Sequence, residues 1–270
     1  TAEMFPNEAA LYIEMLDDNY HVSEMVGLAW GTSEKMYVSK NVALLQDPLM
    51  KTWLEDVNQK KEVYDAKRTI VAIAKHGTRL KGVSFDVLLG AYLLDTNDLG
   101  TDMAAVAQQY GCTEIQSDVS IYGKGAKRAL PEDGVMFEHL ARKIKVIKGL
   151  TNQLEEALAE KNQDQLFHQM ELPLSEVLAE MEIIGITVDS ERLEHMRVDF
   201  AKRLHDIETK IYEMAGETFN LNSPKQLGVI LFEKMGLPVI KKTKTGYSTA
   251  VDVLEQLREQ APIVDDILIY

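Results

Sequence analysis

The stretch FNLNSPKQLGVILFEK, residues 219–234, carries polar groups suited to binding an anion at the start of a short helix. Ser223 stands at the N-cap position and is followed by proline, so the backbone N–H groups of the first turn remain available. Asn220, Asn222 and Lys225 place neutral and cationic donors beside that turn. The segment therefore predicts a phosphate-binding site, although the same residues also suffice simply to begin a helix.

The residues that follow add positive charge to this segment. Residues 218–249 contain five lysines and one glutamate, a net charge of +4, whereas the whole chain carries −14. Thr243, Thr245, Ser248 and Thr249 add hydroxyl groups that can donate to phosphate oxygens. An acidic chain of this kind is not typical of a protein that binds nucleic acid over its whole surface, but it allows a local basic patch.

Other features of the composition exclude several classes of protein. Cys112 is the only cysteine, so no internal disulfide can form. No apolar run approaches the roughly 20 residues that a bilayer crossing requires, and the first residues lack the pattern of a secretion signal. The six histidines show no zinc-binding spacing, and Gly123-Lys124-Gly125 lacks the rest of a phosphate-binding loop. These features predict a soluble protein of a reducing cytoplasm.

The elements that must position these residues fall into two groups. Strand patterns are predicted at 10–16, 25–31, 35–39 and 62–66, and helical patterns at 47–57, 67–77, 83–95 and 101–111, with a loop at 120–134. From Val135 onward helical spacing dominates, with a break in the polar stretch 160–165. An α/β domain followed by a helical one is therefore predicted, with the boundary near residue 160.

Residues 219–257 closely resemble the thumb subdomain of bacterial DNA polymerase I, and ELPLSEVLAEMEIIGITVDSERL (171–193) resembles the start of that thumb. In this family the thumb holds the primer–template duplex across the minor groove through its sugar–phosphate backbones. The resemblance implies DNA contacts for Asn220, Asn222, Ser223, Lys225, Lys241, Lys242, Thr243, Lys244, Ser248 and Thr249. These residue types agree with phosphate contacts that read no base sequence.

The first part of the chain resembles the proofreading 3'–5' exonuclease domain of the same family, an RNase H-like α/β fold. The resemblance is carried by AALYIEMLDDNYHVSEMVGLAWG, KGVSFDVLLGAYLLD and YGKGAKRAL. Active members hold two divalent metal ions, about 3.5–4 Å apart, with several carboxylates. A working nuclease of this kind should therefore show those carboxylates at the matching positions.

Most of the matching positions have lost their carboxylate. The Asp-X-Glu of the first strand reads Tyr-Ile-Glu at 12–14, the second aspartate falls on Thr69, and the third pair, Tyr and Asp, falls on His139 and Lys143. One carboxylate beside a lysine gives too little negative charge for two divalent ions. The resemblance therefore implies a vestigial exonuclease site with no catalytic and no metal-binding residue. Its members are Tyr12, Glu14, Thr69, His139 and Lys143.

Together these points predict an α/β RNase H-like, exonuclease-like domain over 1–160, followed by an α-helical partial thumb over 161–270. The palm and fingers of the family, with its catalytic aspartates, are absent from these residues. The chain is therefore expected to be a catalytically silent fragment of a DNA-directed DNA polymerase of replication and repair. No cofactor is expected for the fragment, and Mg²⁺ is expected for the parent enzyme. The implied partners are primer–template DNA and the missing palm and fingers, in a bacterial cytoplasm near the nucleoid.

Two other functions remain open from the residues alone. The first is an active metal-dependent exonuclease that uses Glu14 with acids outside the family pattern, such as Asp17 and Asp18, although paired surface acids are more typical of a solvated turn. The second is a noncatalytic module whose basic segment binds a protein partner.

Overall fold

The computed structural model describes residues 2–97, 100–243 and 246–270. The chain divides into two compact units, Thr1–Gly185 and Ile186–Tyr270. Within the described residues, no helix is long and apolar enough to cross a membrane.

The first unit is built on a five-stranded mixed sheet with the order β3-β2-β1-β4-β5. Its strands are β1 (Glu8–Met15), β2 (Met25–Gly31), β3 (Met36–Ser39), β4 (Lys60–Val63) and β5 (Val83–Asp86). The first three strands form an antiparallel meander, whereas β4 runs parallel to both β1 and β5. Every residue of β2, and every residue of β1 after Glu8, is buried, so both faces of the central strands are covered.

Eight α-helices follow or flank these strands among the described residues of the first unit. They are α1 (Pro48–Glu55), α2 (Ala66–Ala74), α3 (Val87–Leu94), α4 (Met103–Gln109), α5 (Asp118–Tyr122), α6 (Asp133–Glu160), α7 (Asp164–Leu166) and α8 (Leu172–Ile184). The long α6 packs against strands β1 to β4, while α8 packs against α2. Aspartates at the N-caps fix where α1 to α4 begin, because each carboxylate accepts backbone N–H groups of the first turn.

Two predicted elements of the first unit are wrong. Residues 83–95 were expected to form one helix, but the first four form β5, which pairs with β4, and Asp86 then caps α3. The run is so apolar that its periodicity does not distinguish a buried strand from a helix. The predicted loop at 120–134 is also incomplete, since α5 reaches Tyr122 and a 3₁₀ turn covers Gly125–Lys127.

The division between the two units also differs from the predicted boundary near residue 160. The polar stretch there does end α6. However, α8 packs on α2 through the buried Ala179, so the chain remains part of the first unit as far as Gly185.

The second unit is helical apart from one small hairpin. Its helices are α9 (Ser190–Ala215), α10 (Pro224–Gly228), α11 (Val251–Leu257) and α12 (Pro262–Ile269), with π-helical turns over Val229–Lys234, and its strands are β6 (Lys242–Thr243) and β7 (Gly246–Tyr247). Asp189 caps α9 as predicted, and Gly216 ends it in the left-handed region that favours glycine. A small core forms where the last turns of α9, which include Ile211, meet α12.

Candidate functional site

Four of the five residues predicted for the vestigial nuclease site lie together in the first unit. Strand β1 places Tyr12 and Glu14 on the same side of the sheet, because side chains two residues apart share a face. His139 and Lys143 lie one turn apart on α6, which packs against β1. All four side chains are buried.

Lys143 is the centre of this cluster. Its ammonium Nζ donates to Glu14 Oε2 at 2.7 Å and to the Tyr12 hydroxyl at 3.1 Å, and it lies 2.7 Å from Asp118 Oδ1. The lysine side chain is 0% exposed. Burial alone lowers the pKa of a lysine, but the neighbouring Tyr12, Glu14 and Asp118 outweigh it, and the pKa of Lys143 lies well above its usual range. The group is therefore a permanent cation.

Three further side chains complete the site, and the sequence reading missed all of them. Asp118 from α5 lies 2.7 Å from His139 Nε2, and the Tyr122 hydroxyl donates to Glu14 Oε2 at 3.0 Å. Arg68 from α2 donates to the Tyr12 hydroxyl at 3.3 Å. Ser117 at the N-cap and Asp118 in the first turn are an ordinary helix-start signal, and it could have revealed α5.

The pKa values of the acidic groups follow from these contacts. Burial by itself would raise the pKa of Asp118, but the hydrogen bond from His139 and the charge of Lys143 lower it well below its usual range. The pKa values of Tyr12 and Tyr122 are raised, first by burial and then by the charge of Glu14. Asp118 is therefore anionic and both tyrosines are neutral at ordinary pH.

Thr69 does not join the cluster. It is buried in α2, and its hydroxyl donates to the backbone carbonyl of Asp65 at 2.8 Å. Its neighbour Arg68 reaches the site instead. Asp18, the alternative metal ligand that the sequence offers, is almost fully exposed and pairs with Arg128.

The residues present do not fit the two divalent ions of an active exonuclease. The cluster contains two carboxylates, Glu14 and Asp118, and two cations, Lys143 and Arg68, so its formal charges already balance. Two divalent ions would add four positive charges in a buried volume, without further carboxylates to compensate them. In addition, the Lys143 ammonium fills the space between the two acids.

The second candidate site is the basic segment of the second unit. As predicted, Ser223 caps α10, its hydroxyl accepting from the backbone N–H of Gln226, with Pro224 at the first position. Tyr247 of β7 packs against Gly228, which brings the hairpin onto α10. A surface depression of about 540 Å³ results, lined by Lys225, Glu233, Thr243, Ser248 and Thr249 among others.

The structure gathers some of the ten predicted DNA contacts more closely than others. Lys225, Thr243, Ser248 and Thr249 line the depression, with Ser248 buried and its backbone N–H donating to the carbonyl of Lys241. Asn220 and Asn222 lie in the turn before α10, where Asn220 Oδ1 accepts from the backbone N–H of Asn222. Lys241 and Lys242 are exposed, and Lys244 lies outside the described residues.

The charge of the basic segment is partly neutralised. Lys234 forms an ion pair with Glu217, just outside the range counted from the sequence, and Glu233 adds a carboxylate to the depression. Lys225, Lys241 and Lys242 form no ion pair with any residue that the structure describes. Among the described residues of the segment, the free positive charge therefore resides on these exposed side chains.

Comparison with known proteins assigns both parts of the chain to families. Residues 11–150 match the model of the DNA polymerase I ribonuclease H-like domain, and residues 190–270 match that of DNA polymerase family A. The chain belongs to the DNA polymerase I family. The RNase H-like fold predicted for the first domain is thereby confirmed, as is a second domain of polymerase type.

Individual relatives are similar over the whole chain. DNA polymerase I of Bacillus subtilis is 46% identical over 100% of this chain, and that of Geobacillus stearothermophilus is 45% identical over 100%. The chain spans 31% of the length of each of these relatives. A solved structure, the POL domain of Pol1 from M. smegmatis in complex with DNA primer-template and dNTP, is 27% identical with a TM-score of 0.68, covering 96% of this chain and 43% of that one.

Proposed function

We propose that this chain is the part of a bacterial DNA polymerase I in which an inert exonuclease-like domain precedes a thumb that grips duplex DNA. The observation that carries the proposal is the placement of positive charge. The nuclease-like site contains a buried lysine between its two carboxylates, whereas the basic segment presents exposed lysines on its surface. The first arrangement removes hydrolytic chemistry, and the second attracts a polyanion.

The thumb would hold the sugar–phosphate backbones of the primer–template duplex. Exposed lysines on the hairpin supply the charge, while α10 and the hydroxyl-bearing residues around the depression supply hydrogen-bond donors. Such contacts fix the register of a duplex without reading its bases, as a polymerase that must copy any sequence requires. The related POL domain solved with DNA primer-template supports this reading.

The parent protein would be a DNA-directed DNA polymerase of replication and repair in the bacterial cytoplasm, near the nucleoid. Its palm and fingers, the further partners of this chain, would use Mg²⁺ to add deoxynucleotides. The bacterial relatives, all named DNA polymerase I, support this assignment. The first unit would then be the inactive exonuclease-like domain of that enzyme, and the second unit would be part of its thumb.

DNA binding is tested by reversing charge at the hairpin. Lys241→Glu/Lys242→Glu should weaken binding of a labelled primer–template duplex, measured by fluorescence anisotropy over a series of salt concentrations. Loss of two phosphate contacts should also make the plot of log affinity against log salt shallower by roughly 1.8. The matched control, Lys124→Glu/Lys145→Glu, changes two exposed lysines of the first unit and hence alters net charge equally. Equal weakening in both variants would contradict the proposed grip.

The loss of nuclease activity is tested on the unaltered protein. In the presence of Mg²⁺ or Mn²⁺, the protein should shorten a single-stranded DNA labelled at its 5' end no more than the Glu14→Gln variant does. Shortening that Glu14→Gln abolishes would favour the active exonuclease instead.

A further inference from the structure

The nuclease-like site of this chain holds a buried ammonium group, that of Lys143, at its centre. Lys143 Nζ contacts one oxygen each of Glu14 and Asp118 at 2.7 Å, and it also lies 4.4 Å from the centre of the Tyr12 ring. These partners come from β1 and α5, while the lysine belongs to α6. A single cation therefore ties three elements together, which is what a structural metal ion does in other proteins.

The groups around the ammonium also form a potential ligand set for a metal. One oxygen of Glu14, one of Asp118 and one ring nitrogen of His139 all lie within 4.8 Å of one another. Only Glu14 among them stands at a position where the family resemblance places a carboxylate ligand. Moreover, Glu14 Oε1 is buried without a hydrogen-bond partner among the described residues, although its other oxygen has two. A coordination position on Glu14 is therefore unused in the lysine-filled site.

We propose that Lys143 is a built-in cation that covers a latent site for one divalent metal ion, held by Glu14, Asp118 and His139. The inference rests on the proposed function, because it takes the native site to contain no metal. Without Lys143 the buried Glu14 and the partly buried Asp118 would lose the cation that contacts both of them, a costly state that one divalent ion would relieve. The latent site would thus exist only in a variant that lacks the lysine.

The ligand set also favours particular metals. Two carboxylates and one imidazole suit Zn²⁺ or Mn²⁺ better than Mg²⁺ or Ca²⁺, which prefer oxygen ligands alone. Zinc binds such atoms at about 2.0–2.2 Å, so Glu14 and Asp118 would close in by roughly half an ångström from their distances to the ammonium. His139 and Asp118 would separate slightly, since one metal would replace their direct contact of 2.7 Å.

The experiment replaces the lysine and titrates metal. Lys143→Ala is titrated with Zn²⁺ and with Mn²⁺ by calorimetry and by competition with a chelating dye. We expect one ion per chain with a Kd at least ~100-fold lower than that of the unaltered protein, and a Tm that rises with Zn²⁺ concentration. Adding Asp118→Asn or His139→Gln to Lys143→Ala should reverse most of the gain.

Lys148→Ala is the matched control. Lys148 lies on the same helix and ties Glu62 to Glu8, away from the cluster, so its removal also breaks a partly buried ion pair. Should this variant gain metal affinity equal to that of Lys143→Ala, the site would not be specific and the inference would fail.

Poor folding of Lys143→Ala does not leave the inference untested. If the variant unfolds without metal, recovery of its helical circular dichroism at one equivalent of Zn²⁺ supports the latent site. Lys143→Asp, which supplies a further carboxylate, is titrated in parallel. Absence of stoichiometric binding in both variants overturns the inference. Metal-dependent digestion of DNA by the unaltered protein would instead count against the proposed function, so the two failures are distinguishable.

Discussion

At the scale of single residues, the first unit stabilises buried charge through close partners. Lys143 is fully buried, and its charge is matched by Glu14 and Asp118 at hydrogen-bonding distance. Such a pair adds little net stability, since desolvation offsets most of the attraction, but removing one partner typically costs about 3–5 kcal/mol. Loss of the lysine alone should therefore destabilise the first unit, unless another cation replaces it.

Asp86 is a second buried charge, and it is stabilised differently. Its carboxylate ends β5 and accepts hydrogen bonds from the backbone N–H groups of Asp65, Ala66, Leu88 and Leu89. Burial nevertheless raises the pKa of Asp86 to about 6, and the charge of Asp65 contributes to the rise. The folded protein thus binds this proton more tightly than the unfolded chain does.

This difference predicts a pH dependence of stability. Because protonation of Asp86 favours the folded state, its contribution is fully present below about pH 4 and is lost as the pH rises to about 6. The free energy of unfolding of the wild type, relative to Asp86→Asn, should fall over that interval by up to about 3 kcal/mol. Urea denaturation of both proteins at several pH values measures the difference, and effects of other titrating groups cancel. A difference that stays constant with pH would show that Asp86 does not titrate there.

The residues of the nuclease site could be predicted only in part. Tyr12, Glu14, His139 and Lys143 were found because the family resemblance assigns its ligand positions to them, and strand and helix spacing then places each pair on one face. Asp118 was missed because a short helix at the edge of a glycine-rich stretch has weak periodicity. Thr69 was misplaced relative to the cluster, since its side chain bonds to its own helix.

At the scale of elements, strands that alternate or pair locally were predicted well and elements set by tertiary packing were not. Strand β2 matches its predicted range, Met25–Gly31, because turn residues bound it on both sides. Strand β5 was read as helix, because only its pairing with β4 makes Val83–Asp86 extended. The start of α10 was predicted from its cap, whereas the depression beside it depends on the hairpin reaching Gly228, which no local pattern reveals.

The contact between α10 and the hairpin yields a prediction for Gly228. A Cβ added there would lie 3.3 Å from Tyr247 Cβ, closer than ordinary packing allows, so Gly228→Val should push β7 away from the helix. Overpacking of this kind typically costs about 1–3 kcal/mol. Primer–template affinity should also fall although no charge changes, because the depression would lose its shape. Urea denaturation and fluorescence anisotropy measure the two effects.

Gly149→Val is the control for that substitution. Gly149 is also helical, but nothing lies within 4 Å of a Cβ built on it, so only the helix propensity changes. If Gly228→Val binds DNA as tightly as Gly149→Val does, the hairpin does not shape the DNA site.

At the scale of the whole molecule, positive charge is concentrated in one segment of the second unit. The chain carries a net charge of −14, yet residues 218–249 of the second unit carry +4. Since charges further apart than about one Debye length are largely screened, roughly 8 Å at physiological salt, a phosphate backbone at the hairpin would sense mainly the local lysines. The acidic remainder of the chain would discourage binding of nucleic acid elsewhere.

The connection between the units predicts where a protease cuts first. Helix α8 ends at Ile184, the next residue Gly185 has a positive φ of 69°, and Ile186 and Val188 beyond it are 90% and 60% exposed. Exposed segments between compact units are preferred sites of nicking, and thermolysin favours the amino side of such apolar residues. Brief digestion should therefore yield fragments near 185 and 85 residues, identified by mass spectrometry. Ile186→Asp/Val188→Asp should slow this cut while leaving cuts elsewhere unchanged. If the first cut instead falls within residues 100–130, the segment most susceptible to the protease lies inside the first unit.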